Sequence, residues 1–277
     1  MSTALVYFFT DEGFVIAADG FNTLVSREGR QVTSDRAQKI FPVRGIEREA
    51  ALSFTGRTTL YDQTESYVAF DFPSAFVSAA HEIRFEPVEN VSAFLSELCL
   101  IVLERLELTR LRVGLSKYPS PPNRLNPAEH TIISIHLDGY CSGYPVRAGA
   151  TVYHINQEVA WDANSLHSLN CPKRYWSVLH GSDSIGALLF DTSDARLAQY
   201  RTEACRRVAA NYKDSNIGIT LQDAIEAARN YIAACSDPAI REIDIENCRG
   251  IGGRIHIATI TPKDGFQWVP GLEPHYP

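Results

Sequence analysis

At 277 residues, with 45% hydrophobic and 21% charged side chains, the chain has the composition of ordinary globular material and is long enough for one large core or two modest ones. A formal net charge of -7 gives no support to a phosphate-binding surface, which sets nucleic acid aside as a partner. The opening apolar run "ALVYFF" is too short, and lacks the preceding basic stretch, for a signal peptide or a membrane span, so the expectation is a cytoplasmic protein with no membrane partner.

In chain order, "ALVYFF" and "FVIAA" are apolar at every position, which predicts strands covered on both faces, with "TDEG" as the hairpin turn between them. "QKIFPV" and "AALSFTG" read as two more short strands. From Thr58 to His81, and again through "VENVSAFLSELCLIVLERLELTRL", the apolar spacing turns helical. Residues 114–129, "GLSKYPSPPNRLNPAE", carry four prolines and form an irregular connection.

"HTIISIHLDGY", "GATVYHI" and "QEVAWDA" then read as antiparallel strands that need helices to cover them. Helical patterns follow from about Ser184 to Tyr212 and over "LQDAIEAARNYIAAC". The chain closes with the alternating stretch "GGRIHIATITPKDGFQWV", a strand and hairpin. Strands, two helices, strands, two helices and a closing strand predict an α+β fold over residues 1–277, read as a single domain in which two sheets pack together with helical layers outside.

The six cysteines, at 99, 141, 171, 205, 235 and 248, are scattered, with no C-x-x-C pair and no histidine at metal-ligand spacing. They read as buried reduced thiols, and no metal or other cofactor is expected.

"TALVYFFTDEGFVIAADGFNT", "AQKIFPV" and "AALSFTGRTTLYDQ" together resemble the amino-terminal half of proteasome β-type subunits and of the peptidase subunit of the bacterial two-component ATP-dependent protease. "LHGSDSIGALL" looks like that family's glycine-serine turn opening a helix, and "IGGRIHIATITPKDGF" like its closing hairpin. The resemblance runs from residue 3 to about residue 266 and implies the amino-terminal-nucleophile (Ntn) hydrolase superfamily, whose fold is a four-layer α-β-β-α sandwich of two antiparallel sheets.

That resemblance implies a chemistry with stated physical needs. A hydroxyl is a weak nucleophile until a base takes its proton, and an α-amine with a pKa of about 7.7 to 8.0 can do so near neutrality. The site also needs a cation to favour the alkoxide, a carboxylate to hold that cation, and backbone N–H donors for the oxyanion. Asp19 resembles the family's carboxylate, Lys39 its ammonium, Gly56 its backbone donor, and Ser182 its auxiliary hydroxyl. Counting back from Asp19 places the leading threonine at Thr3, which would require removal of two residues; trimming of Met1 alone would instead expose Ser2. Thr3 is preferred. Phe54 and Thr58 are the expected lining of the first side-chain pocket, suited to small or apolar residues, and Phe21 is a further candidate for substrate contact.

Each residue also has a plainer reading. Asp19 in "AADG" ends a strand in a turn. Lys39 is a solvated edge-strand charge, Gly56 a strand terminator, and Ser182 the N-cap of a helix with Asp183 beside it. Phe21 stands where the family has an arginine. Cys248 and Ile251 stand where it has an aspartate and a serine, with Asp244 and Glu246 near enough to substitute. A serine hydrolase centred on Ser182 is disfavoured, because "GSDSIG" lacks the glycines that flank a nucleophile-elbow serine.

Two functions of different class follow. One is a self-compartmentalising threonine peptidase acting on peptides or unfolded proteins, assembled as a homo-oligomeric ring or spiral, with an ATP-dependent unfoldase as a possible partner. The other is a non-catalytic ring subunit that keeps the fold for assembly alone.

Overall fold

The computed structural model describes residues 3–26, 29–45, 48–56, 58–61, 68–83, 91–113, 131–155, 158–162, 167–168, 176–190, 194–214 and 216–274. Ser2 and the proline-rich connection at 114–129 lie outside the described residues. Five strands open the chain: β1 (Leu5–Phe9), β2 (Phe14–Ala18), β3 (Asn22–Ser26), β4 (Gly29–Ser34) and β5 (Ile40–Gly45). There follow β6 (Arg48–Gly56), β7 (Thr59–Tyr61), β8 (Val68–Asp71), α1 (Phe72–Glu82) and α2 (Val91–Val113). Next come β9 (Thr131–Cys141), β10 (Tyr144–Ile155), β11 (Glu158–Asp162), β12 (His167–Ser168) and β13 (Trp176–His180). The last part holds α3 (Asp183–Phe190), α4 (Glu203–Lys213), α5 (Leu221–Ser236), α6 (Ile245–Cys248), β14 (His256–Thr261) and β15 (Gly265–Trp268).

Three stretches differ from the sequence expectation. The helix expected from Thr58 starts only at Phe72: β7 and β8 pair antiparallel before it, Asp71 caps it by accepting from the Ser74 amide at 2.8 Å, and a proline occupies its first turn. The helix expected from Ser184 to Tyr212 is broken into α3, a 3₁₀ turn at Ala195–Tyr200 capped by the Asp194 side chain, and α4. Between Asp19 and Lys39 the chain makes the antiparallel pair β3–β4, whose sequence lacked an apolar face to announce it.

By contacts the chain divides into two compact units, residues 1–40 with 171–277 and residues 41–170. In the first, a five-stranded antiparallel sheet runs in the order β13-β1-β2-β14-β15. Both faces of β1 and β2 are buried, as their uniform apolarity predicts. One face, carrying Val6, Phe8, Val15 and Ala17, packs with the buried alanines and Tyr231 of α5. The small side chains of α5 let it lie close to the strands. It starts at a capping box between Thr220 and Asp223, and Glu12 of the β1–β2 turn accepts from the Leu221 amide at 2.9 Å.

The second unit is a six-stranded sheet with the path β11-β10-β9-β6-β5 and β12 paired to β10. The side of it bearing Leu52, Phe54, Ile135 and Leu137 packs with Phe76 of α1 and Leu95 and Leu98 of α2 in one core. The five described cysteines are buried and unbridged. No described helix is long and apolar enough to cross a membrane.

Two buried charges in this second unit are poorly compensated. Arg48, opposite Cys141 in the β6–β9 ladder, is 2% exposed. Its Cζ lies 4.1 Å from the centroid of the Phe94 ring, and its three guanidinium nitrogens have no hydrogen-bond partner among the described residues. An apolar side chain of similar length there is expected to be neutral or better. Arg48→Met should raise the free energy of unfolding in urea by about 1 kcal/mol or more, after the lost cation–π contact is counted. A clear loss would show that the guanidinium is satisfied.

Asp138 of β9 is fully buried, and its closest counter-charge is Arg147 Nε at 3.7 Å. Burial pushes its carboxyl up to about 7 from the ordinary 3.8, against the pull of Arg147. The folded chain therefore holds a proton that the unfolded chain releases between these values, so this group's contribution to stability is present below pH 4 and lost as pH rises to about 7. Asp138→Asn should flatten the fall of melting temperature across that window and melt above wild type at pH 8.

Candidate functional site

The site is built around the carboxylate of Asp19, which follows β2 directly and is wholly buried. An ionised carboxylate in such a place needs donors at both oxygens. Oδ1 accepts from the Ala4 amide at 2.9 Å and from Lys39 Nζ at 2.7 Å. Oδ2 accepts from the amides of Phe21 and Gly252, both at 3.2 Å. Burial raises the Asp19 carboxyl from its ordinary range, opposed by the Lys39 ammonium and by the Gly252 and Ala4 amides.

Lys39 is delivered by the segment between β4 and β5, and main-chain bonds hold that segment in place. The Ala37 amide donates to Gly20 O at 2.7 Å, and the Arg254 amide to Asp35 O at 2.7 Å. The Lys39 side chain is 4% exposed. This is far from the solvated edge charge that an isolated lysine normally is.

The same carboxylate fixes the start of β1. The Asp19 amide donates to Ala4 O at 3.1 Å while Asp19 Oδ1 accepts from Ala4 N, so Ala4 is bonded on both of its main-chain groups to one residue. The ladders that pair Leu5 with Ala18 and with His180 lead, one residue on, to Asp19 and Gly181 beside Ala4. Thr3 itself is 9% exposed. Gly181, at φ +128°, is required for this approach: a Cβ there would lie 3.0 Å from the Tyr231 hydroxyl and 3.4 Å from Ala4 Cα.

Ser182 has the N-cap role of its plainer reading and a second partner besides. Its Oγ accepts from the Ile185 amide at 3.0 Å, an N-cap of α3, and donates to Asp244 Oδ2 at 2.6 Å. Its amide donates to the Tyr231 hydroxyl at 2.9 Å, and Tyr231 donates onward to Ser182 O at 3.2 Å. Burial works to raise the Asp244 carboxyl. It is outweighed by hydrogen bonds from Ser182 and from the side chain and amide of Asn247, so Asp244 sits below the ordinary range.

Cys248 and Ile251 are fully buried in the core, and Glu246 is exposed. The carboxylate that reaches Ser182 is thus Asp244, four residues before Cys248. Tyr231 gave no sequence signal, since an aromatic on the apolar face of a helix reads as core.

The remaining sequence candidates have local roles. The Phe21 ring packs against Gly252 and Gly253. In the second unit, Gly56 ends β6 at φ +99°, where a Cβ would lie 2.8 Å from Ile132 O. Phe54 is 0% exposed, its ring 5.7 Å from that of Phe41 and 5.8 Å from that of Phe76, which makes it a core residue of its unit. Thr58 O accepts from the Phe72 amide at 2.9 Å. Among the described residues no three His, Cys, Asp or Glu side chains gather as metal ligands.

No family profile matches the chain, and no curated protein matches it. Among solved structures it is similar to "Anbu (Gly-1) mutant" from Hyphomicrobium sp. strain MC1, at 13% identity and a TM-score of 0.46, covering 96% of this chain and 84% of that one. It is similar also to "Anbu (ancestral beta-subunit)" from Yersinia bercovieri, at 11% identity and a TM-score of 0.43, covering 98% of this chain and 88% of that one.

Proposed function

We propose that the chain is a threonine peptidase of the amino-terminal-nucleophile type, with Thr3 as nucleophile once Met1 and Ser2 are removed. The four-layer sandwich and the single domain expected from the sequence belong to this reading. One observation carries it: the buried Asp19 carboxylate binds the Lys39 ammonium and the amide of the residue after Thr3 through the same oxygen. A structural ion pair has no need to be tied to the main chain beside a candidate nucleophile. A site that must hold an ammonium beside an N-terminal hydroxyl does.

In this mechanism the freed α-amine of Thr3 takes the hydroxyl proton as Oγ1 attacks the substrate carbonyl. Lys39 stays protonated and favours the alkoxide, and Asp19 fixes where the ammonium points. The amine then passes its proton to the departing peptide amine, leaving an ester on Thr3 that water hydrolyses. In this reading Ser182, which donates to Asp244, also hydrogen-bonds the amine. The oxyanion donor assigned to Gly56 rests on sequence resemblance alone.

The second reading, a ring subunit without activity, is favoured by Cys248 and Ile251 occupying two polar positions of the family pattern. It keeps the Asp19–Lys39 pair as structure. Both readings include a homo-oligomer, so sedimentation is expected to give a multiple of 30.8 kDa. Docking of an ATP-dependent unfoldase belongs to the first reading.

Intact mass separates the two. The peptidase should lose Met1 and Ser2 and gain one adduct from a peptide epoxyketone, absent in Thr3→Ala. In Lys39→Ala adduct formation should slow by about 100-fold or more, the scale of a lost electrostatic stabiliser. A chain that keeps Met1 and takes no adduct is the scaffold.

A further inference from the structure

The aromatic ring two residues after Asp19 is committed to a turn far away in sequence. A Cβ on Gly252 would lie 2.4 Å from Phe21 Cε2, and one on Gly253 would lie 2.7 Å from Phe21 Cδ1. The ring therefore occupies the space that side chains at 252 and 253 would fill. Phe21 is only half-buried, so this contact, more than general core burial, defines its place.

The main chain beneath the ring is cross-bonded. The amides of Gly20 and Phe21 both lie 3.0 Å from Gly252 O, and the amides of Phe21 and Gly252 both lie 3.2 Å from Asp19 Oδ2. Oδ2 is thus filled by peptide groups, which leaves Oδ1 for Ala4 and Lys39. Which way Oδ1 faces follows from where Gly252 N–H is held.

We infer that Phe21 is a positioning residue whose ring clamps the Gly252–Gly253 turn, so that two main-chain amides orient Asp19 and, through it, the Lys39 ammonium. This rests on the reading of Asp19 and Lys39 given above. It assigns Phe21 a role in place of substrate contact, and explains why an aromatic serves at this position: a flat ring can lie against two glycines without displacing their backbone.

The test is a carboxyl-carbon NMR titration of Asp19 in the full chain, read beside the rate of epoxyketone labelling. In Phe21→Ala the turn is released and Oδ2 loses amide donors that favour the charged form. The Asp19 midpoint should then rise by about one pH unit, and labelling at pH 7.5 should slow about 10-fold. Phe21→Tyr, which keeps the ring, should match wild type in both. Should Phe21→Ala fail to fold, Phe21→Leu is read in its place, with a smaller shift of the same sign. An unchanged midpoint, or equal shifts in the Ala and Tyr variants, overturns the clamp. If the midpoint moves as expected while wild type takes no label, the clamp stands and the peptidase reading fails.

Discussion

A carboxylate with no exposure must be matched donor for donor, and Asp19 is. Its four partners come from four separate places in the chain, at residues 4, 21, 39 and 252. Three of them are main-chain amides, which cannot rotate away, and one is an ammonium. The desolvation of such an ion costs several kcal/mol, recovered only when all the bonds form together. Closing the first sheet, seating the segment that ends in Lys39 and forming the diglycine turn are therefore one cooperative requirement. Losing any one donor leaves the charge uncompensated and is felt by the other three.

The opposite side of β1 is organised around Ser182. Its hydroxyl caps α3 and reaches Asp244, while Tyr231 holds its amide and carbonyl. A serine that only capped a helix would need neither neighbour. β1 runs between β2, which leads into Asp19, and β13, which leads into Ser182.

Much of this was legible in the sequence because β1 and β2 are apolar on both faces, a pattern that few elements other than doubly covered strands produce. Asp19 and Lys39 were legible as a pair only through their order and context, since each alone reads as turn and surface. What the sequence could not show were contacts made by residues of common type. Phe21 and Tyr231 look like core aromatics until Gly252 and Ser182 are placed against them. The β7–β8 hairpin hid inside a helical apolar spacing because Leu60 and Phe70 satisfy either period, and Asp71 with Pro73 decides where the helix can begin. Asp244 was within reach of the family position but four residues early, an offset that follows from the short turn of α6, where Asp244 also caps.

Burial of charge does not by itself mark a site, as the second unit makes clear. Arg48 and Asp138 are nearly as buried as Asp19, yet neither has its polar atoms hydrogen-bonded, and burial raises the carboxyl of Asp138 as it does that of Asp19. Asp19 differs in that the backbone itself was folded to meet it, with glycine where a side chain would intrude. Main-chain amides directed at a carboxylate are donors diverted from other partners, wholly or, as with the Phe21 amide shared with Gly252 O, in part. A fold that directs three of them at one side chain holds that carboxylate in place. The ammonium it carries is thereby held still as well.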